Sequence, residues 1–313
     1  MEISYSVGIP TRDRPRELKY CLECIGMQQP VPRRYIIVDD GALDPDEIRS
    51  WMGPDAEKLV YHRKESPGTR ASMRKVLELC RDDWLLFLDD DIYLEPDFMQ
   101  RMTEVIENYP DREKISGLSG MILRPEREII SKRRKIRLFF EKIFMMNGGV
   151  EGRFFPSSFC TDYSCGHHPD KPYIVEHVPG GLGLWKTEIL KDYYTDEFYT
   201  GNAYGQDKKI AYEISRNHML ICQPAAGAIH DKSPHARLDP RELGRIKVRN
   251  QVYFYRNIFR KNLLSFLFFG WALFGQIFLD AAAAVFSRDM RTRLSGVRGM
   301  ISGIRSVFKG GSK

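Results

Sequence analysis

Three consecutive carboxylates, Asp89, Asp90 and Asp91, follow directly on the apolar run at residues 84–88. An oxygen-rich acidic pair can hold a hard divalent cation, Mg²⁺ or Mn²⁺, and through it the phosphates of a bound nucleotide. In an extended segment alternate residues point the same way, so Asp89 and Asp91 can share one site while Asp90 turns to a ribose or a stabilising Arg. A second constellation, Cys160, Cys165, His167 and His168, has the element types of a zinc site but not the spacing of paired knuckles, and it carries no metal assignment.

Such carboxylates need a rigid element to aim them, and the first 100 residues supply an alternation of short apolar runs and helical spacings. Residues 3–9 read as a strand ending at Pro10-Thr11. Leu18, Cys21, Leu22 and Ile25 recur near 3.6 residues before Pro30 and Pro32 end the helix. Residues 35–38 form a β-branched run ending in Asp39-Asp40-Gly41, residues 48–52 a helical turn, and residues 59–62 a third strand. Residues 70–80 have helical spacing and lead into 84–88, whose unbroken apolar run suits a strand covered on both faces. A βαβα alternation predicts an open, mostly parallel sheet flanked by helices. Ligands of such sheets sit beyond the carboxyl ends of the strands, and three of these ends carry Thr11-Arg12, Asp39-Asp40 and Asp89-Asp90-Asp91. Helix capping could explain any one of the three ends alone. Residues 115–179 give no clear period; order resumes at Pro179-Gly180-Gly181-Leu182-Gly183-Leu184-Trp185, read as a turn into a helix opened by Thr187 and Glu188.

Taken together the pieces resemble a family 2 glycosyltransferase of the GT-A fold. They are Gly8-Ile9-Pro10-Thr11-Arg12, Cys21-Leu22-Glu23-Cys24-Ile25 with Gln28-Gln29, Tyr35 through Gly41, Trp84 through Asp91, Pro179-Gly180-Gly181 through Glu188, and Gly205-Gln206-Asp207. The resemblance implies transfer of a sugar from a nucleotide sugar, a UDP-sugar by preference, to an acceptor hydroxyl. By it Pro10, Thr11, Arg12, Asp40, Asp89 and Asp90 would hold the donor, with Thr11 and Asp40 on its base or ribose. Arg70 and Arg74 both lie near the family's phosphate-reaching Arg, about one residue out of step with Asp91. Asp89 and Asp91 would bind the metal, and His230 stands where several family members supply a further ligand. A lone His after an apolar run also serves as a structural residue. Asp207 would be the general base of an inverting transfer. It resembles the Asp of the family's Glu-Asp pair, although Gln206 here replaces the Glu; it could equally cap a helix over 208–215. Gly180 and Gly181 would admit the acceptor, and Trp185 would either stack on a sugar or fill the core.

Composition narrows the rest. A chain of 313 residues with 42% hydrophobic residues can bury a sizeable core, so disorder is excluded as the default. Scattered cysteines and no apolar leader before residue 3 favour a reducing, cytoplasmic setting. From Arg241 onward 14 Lys and Arg face 3 Asp and Glu, so the basic excess lies wholly in the last segment. That segment includes 18 uncharged residues between Lys261 and Asp280, rich in Phe and Leu and containing Trp271. As a helix they reach about 27 Å, marginal for spanning. Arg256, Arg260 and Lys261 flank them on one side and Arg288, Arg291 and Arg293 on the other, which suits a hairpin or an in-plane helix on an anionic leaflet. The basic run Lys132 to Arg137 reads as a solvated or lipid-facing helix surface rather than a nucleic-acid site.

The expected organisation is therefore a catalytic domain over 1–240, with a donor half at about 1–100 and an acceptor half at about 101–240. A membrane-association segment over 241–313 would follow, its helix at 263–286 spanning or lying in the plane. The expected protein sits at the cytoplasmic face of the cell membrane and uses a lipid-linked or glycolipid acceptor. A non-catalytic nucleotide-sugar scaffold and a retaining or nucleotidyl-transferring enzyme on the same sheet remain alternatives.

Overall fold

A computed structural model describes residues 3–65, 68–123, 132–161, 163, 169–194, 198–199, 203–231, 238–259 and 262–309. The chain divides into two compact units, one of Met1–Pro125 with His168–Pro234 and one of Glu126–His167 with His235–Lys313.

In the first unit β1 (Tyr5–Thr11), α1 (Pro15–Gly26), β2 (Arg34–Asp39), α2 (Pro45–Met52), β3 (Leu59–Arg63), α3 (Thr69–Leu79) and β4 (Trp84–Leu88) follow the expected alternation. Helix α1 opens on Pro15, whose fixed φ suits a first helical position, and buries Leu18, Cys21, Leu22 and Ile25 on one side. All five residues of β4 are buried. Each such Leu or Phe contributes about 1.5–3 kcal/mol relative to exposure, which is why this strand sits at the centre of the sheet.

The chain continues through β5 (Ile92–Leu94), α4 (Phe98–Asn108), β6 (Ile115–Leu123), β7 (Tyr173–Val175), β8 (Leu182–Lys186), α6 (Thr187–Tyr193), α7 (Gln206–Ile214) and β9 (Met219–His230). The strand order is β3-β2-β1-β4-β8-β6-β9-β5, with β7 on β9. Strands β3, β2, β1 and β4 are mutually parallel, as expected, but β8 enters antiparallel to both β4 and β6. Beyond β4 the sheet is therefore mixed, with β6 and β9 parallel and β5 and β7 antiparallel to β9. The stretch read as a turn before Thr187 is in fact β8. Its glycines hid the strand, and its register with β4 pairs Leu182 with Leu88 and Trp185 with Leu85.

The second unit holds α5 (Lys132–Ile143), α8 (Pro240–Asn257), α9 (Leu263–Val285) and α10 (Met290–Lys309). Asp239 caps α8 by accepting from the backbone N–H groups of Arg241 and Glu242. Asn262 and Ser265 close a reciprocal capping box on α9, and a cap of this kind is worth about 1 kcal/mol. The helices bury Phe144, Val248, Val252, Tyr255, Phe269, Ala272, Leu279 and Met300 together. Tyr255 and Phe269 stack with centroids 4.2 Å apart. Residues 126–167 thus group with the C-terminal helices rather than with an acceptor half of 101–240. The reason is that Phe144, at the end of α5, packs on Trp271 and Phe274 of α9. Helix α9 is long and apolar enough to cross a membrane.

Candidate active site

Parallel strands end on one edge, so β1, β2 and β4 deliver Thr11, Asp39-Asp40 and Asp89-Asp90-Asp91 to neighbouring positions. The three carboxylates do not continue the strand. Ile92 N donates to Asp89 O at 3.1 Å, closing a turn. The alternation of an extended segment is interrupted here, although Asp91 stays close enough to Asp89 for its charge to act on that carboxyl.

Asp90 turns inward, where its carboxylate accepts from Thr11 Oγ1 at 2.7 Å and from Arg14 Nη1 at 2.8 Å. The stabilising Arg anticipated for Asp90 is thus Arg14, and the Thr11 hydroxyl spends its proton on Asp90. Asp91 lies 3.2 Å from His230 Nε2, and Arg14 Nη1 stands 3.6 Å away on its other oxygen. His230 ends β9 opposite Ile92 of β5, a pairing that holds it there. Asp89 faces a cleft instead, with its N–H on Gly181 O at 3.0 Å. Burial first, and then the charges of Asp91 and Asp90, push the Asp89 carboxyl up to about 7. Among the described residues no three His, Cys, Asp or Glu side chains gather into a cage, so Asp89, Asp91 and His230 do not form one closed ligand set. The Asp91–His230 pair nevertheless fits a hard cation, because Mg²⁺-type sites use few protein ligands and complete their shell with other oxygens.

The other predicted donor residues spread over the same edge. Pro10 pairs with Val38 in the sheet, and Arg12 is exposed beside Asp13. Asp39 is fully buried and accepts from Gly41 N, Leu43 N and Tyr61 Oη, so it shapes the loop. Asp40 pairs with Lys64 Nζ at 2.5 Å and accepts from Gly68 N, where α3 begins. On α3 the two arginines part company. Arg74 is exposed beside Glu78, whereas Nε and Nη2 of Arg70 are buried and lack hydrogen-bond partners among the described residues.

The cleft has a volume of ≈ 280 Å³ and is walled by Met73, Phe87, Trp185, Tyr194, Asp89 and Asp207. Gly180 and Gly181 are small because two carboxylates take the space beside them. A Cβ on Gly181 would meet Asp89 Oδ2 at 2.1 Å, and one on Gly180 would stand 3.0 Å from Asp207 Cβ. Trp185 is 3% exposed and belongs mainly to the core, with an edge on the cleft. Asp207 is not the helix cap: Gly205, at φ +82°, takes the cap position and Asp207 lies in the first turn of α7.

Sequence reading missed Arg14, His177, Tyr194 and the inward side of Gln206. The signal for Arg14 was a base in the loop after the first strand, opposite an acidic triplet. That for His177 was a titratable residue two places before Pro179. His177 Nε2 stands 3.2 Å from Asp207 Oδ2. An ionised carboxylate only accepts, so Nε2 carries the proton. Burial raises the Asp207 pKa, but the hydrogen bond and charge of His177, with the charge and N–H of Lys208, outweigh it and hold the group at about 2. The carboxylate is therefore ionised throughout the ordinary pH range. The folded pKa is depressed, so the associated stability is present above about pH 4 and is lost as pH falls toward 2. With His177→Ala only Lys208 still opposes burial, and the acidic limb of the turnover–pH profile is expected to move up. An unmoved limb would separate His177 from the function of Asp207.

Residues 6–154 match the family profile described as Glycosyl transferase family 2. A "PGL/p-HBAD biosynthesis glycosyltransferase" of Mycobacterium bovis is 30% identical over 117 residues, 36% of this chain and 45% of that protein. A "Glucosyl-dolichyl phosphate glucuronosyltransferase" of Haloferax volcanii is 26% identical over 118 residues, 37% of this chain and 38% of that one. The chain thus spans less than half the length of these curated relatives. The solved structure "Mannosyltransferase PcManGT from Pyrobaculum calidifontis in complex with GDP-Man and Mn2+" superposes with a TM-score of 0.57 over 99% of this chain and 88% of that one, at 13% identity, a likeness of fold alone. Residues 6–154 are thus similar to glycosyl transferase family 2, and the chain has a GT-A fold.

Proposed function

We propose that this protein is a metal-dependent inverting glycosyltransferase that moves a sugar from a nucleoside-diphosphate sugar to an acceptor hydroxyl. The observation that carries this reading is Asp207: an ionised carboxylate, oriented by His177, in a cleft that Asp89 also enters. Asp207 takes the acceptor proton as the hydroxyl oxygen bonds to the anomeric carbon. The bond from that carbon to the phosphate oxygen breaks on the opposite face, and nucleoside diphosphate departs with the electron pair. Thr11, Asp40 and the strand ends around Pro10 and Arg12 form the donor side. Arg70, with buried and unused donors, suits phosphate better than Arg74. Asp91 and His230 would hold Mg²⁺ or Mn²⁺, which supplies charge neutralisation at the two phosphates. Gly180, Gly181 and the edge of Trp185 would border the acceptor. The Mn²⁺ and GDP-Man in the similar mannosyltransferase support the cofactor and donor classes.

The acceptor is proposed to be lipid-linked, at the cytoplasmic face of the cell membrane. Its support is the apolar helix α9, the dolichyl phosphate in one relative's name, and the free thiols of Cys21, Cys24 and Cys80, as in a reducing compartment. Of the postulated Cys/His cluster, Cys165, His167 and His168 lie outside the described residues.

A screen of UDP- and GDP-sugars by thermal shift tests the donor reading. A ligand at 100 times its Kd adds about 2.7 kcal/mol to apparent stability. One or more nucleotide sugars should raise Tm only when Mg²⁺ or Mn²⁺ is present. A protein indifferent to every nucleotide sugar, with and without metal, would end this reading.

A further inference from the structure

Helix α9 has two unlike faces. Phe269, Ala272, Gly275 and Leu279 are packed inside the second unit, while Leu263, Leu267, Trp271, Phe274 and Phe278, spaced four, four, three and four apart, are exposed. Leu263 is 77% exposed and Phe274 55%. Helix α5 repeats the pattern on a shorter scale: Ile136, Phe139, Phe140 and Ile143 are exposed at i, i+3, i+4 and i+7. Arg133, Lys135 and Lys142 are exposed on the same helix.

The two stripes adjoin. Trp271 Nε1 donates to Ile143 O at 2.8 Å, and Phe144 lies 4.9 Å from Trp271 and 6.0 Å from both Phe274 and Phe278, centroid to centroid. Arg137 Nη2 pairs with Asp280 Oδ1 at 2.8 Å, tying α5 to the far part of α9. Isolated exposed hydrophobics are ordinary, but one contiguous apolar face drawn from two helices needs an occupant.

We propose that α5 and α9 together form a monotopic docking face that lies in the plane of an anionic bilayer, and that α9 does not cross it. This rests on the membrane reading above and decides its geometry. Helix α5 has 12 residues, about 18 Å, and cannot span about 30 Å of hydrocarbon. If α9 crossed, it would have to leave α5, break the Arg137–Asp280 pair and the Tyr255–Phe269 stack, and carry Gln276 and Asp280 into lipid. Lying flat, it keeps every one of these contacts and buries only the face already apolar.

Charge selects the lipid. The exposed Arg133, Lys135 and Lys142 of α5 stand on the helix that carries the stripe, and α10, packed on α8 and α9, has five basic and no acidic residues in its 20. Each basic group close to an anionic surface adds attraction. Trp271 reports the geometry, because it is the ninth residue of 23 in α9. A crossing helix would put this indole near the bilayer centre, whereas a flat one keeps it at the headgroup boundary, where Trp partitions.

The test uses the full chain with phosphatidylcholine vesicles, with and without phosphatidylglycerol, in flotation and in fluorescence with lipids brominated at shallow or deep acyl positions. The Trp271 signal is the difference between the native protein and Trp271→Phe. Flotation is expected with phosphatidylglycerol vesicles, and the Trp271 signal is expected to be quenched by shallow bromines. Phe139→Ser with Phe140→Ser, both on exposed positions, should weaken vesicle binding roughly 100-fold without altering Tm. Flotation with deep quenching of Trp271, or flotation indifferent to the α5 pair, would overturn the in-plane geometry while leaving membrane attachment standing. A soluble dimer that ignores both vesicle types would overturn both and assign the face to a second copy.

Discussion

Asp207→Asn is expected to lower turnover by about 10²- to 10⁴-fold, the range for losing a positioned general base, with donor affinity close to that of the native protein. The amide keeps the size of the side chain and can still meet His177 and the N–H of Gly180, so the cleft should keep its shape. It cannot take the acceptor proton. Single-turnover rates of sugar transfer, set beside isothermal titration of the donor, separate these effects. Near-native turnover would exclude the role, and a matching loss of donor binding would make Asp207 a donor contact instead. The released nucleotide species and the anomer of the product should be read in the same assay. Pyrophosphate or a retained anomer would move the enzyme to a different reaction class on the same sheet.

Asp91→Ala is expected to weaken metal-dependent donor binding more than 10–100-fold, the loss found for partners that only orient a metal ligand. Asp91 is the carboxylate that His230 and Arg14 both approach. Its removal leaves the imidazole without its carboxylate partner, while Arg14 stays on Asp90. The measurement is donor affinity as a function of Mg²⁺ and Mn²⁺ concentration. Unchanged affinity with an unchanged metal requirement would remove Asp91 from the site. Asp89→Ala makes a useful contrast, since Asp89 faces the cleft beside Gly181 and should affect transfer more than the metal requirement.

Much of this could be read along the chain. The period-3.6 spacing of Leu18, Cys21, Leu22 and Ile25 and the unbroken run at 84–88 reflect burial on one face and on both faces, and local burial leaves a local pattern. Parallel strands alternating with helices end on one edge, so Thr11, Asp40 and the Asp89–Asp91 triplet were legible as neighbours. Strand β8 was not legible, because Gly181 and Gly183 read as a turn. Their small size answers to space shared with Asp89, and with Val178 and Trp185, not to chain reversal. The division near residue 240 missed α5 for a related reason. A basic run such as Lys132 to Arg137 suits a solvated helix anywhere, and only Phe144 against Trp271 tells which helix it belongs to.

The sequence by itself determined the parallel core, the strand ends that carry polar groups, the family resemblance and the apolar character of α9, because each depends on residues close together in the chain. The tertiary structure alone decided which side chains meet. His177 reaches Asp207 across 30 residues, and Thr11 reaches Asp90 across 79. The turn at 89–92 sends Asp89 and Asp91 to different partners, and the packing of α3 turns Arg70 inward and leaves Arg74 in solvent. Partners of that kind are chosen by packing between distant segments, where a change of one residue in register or of one turn in a helix reassigns every contact.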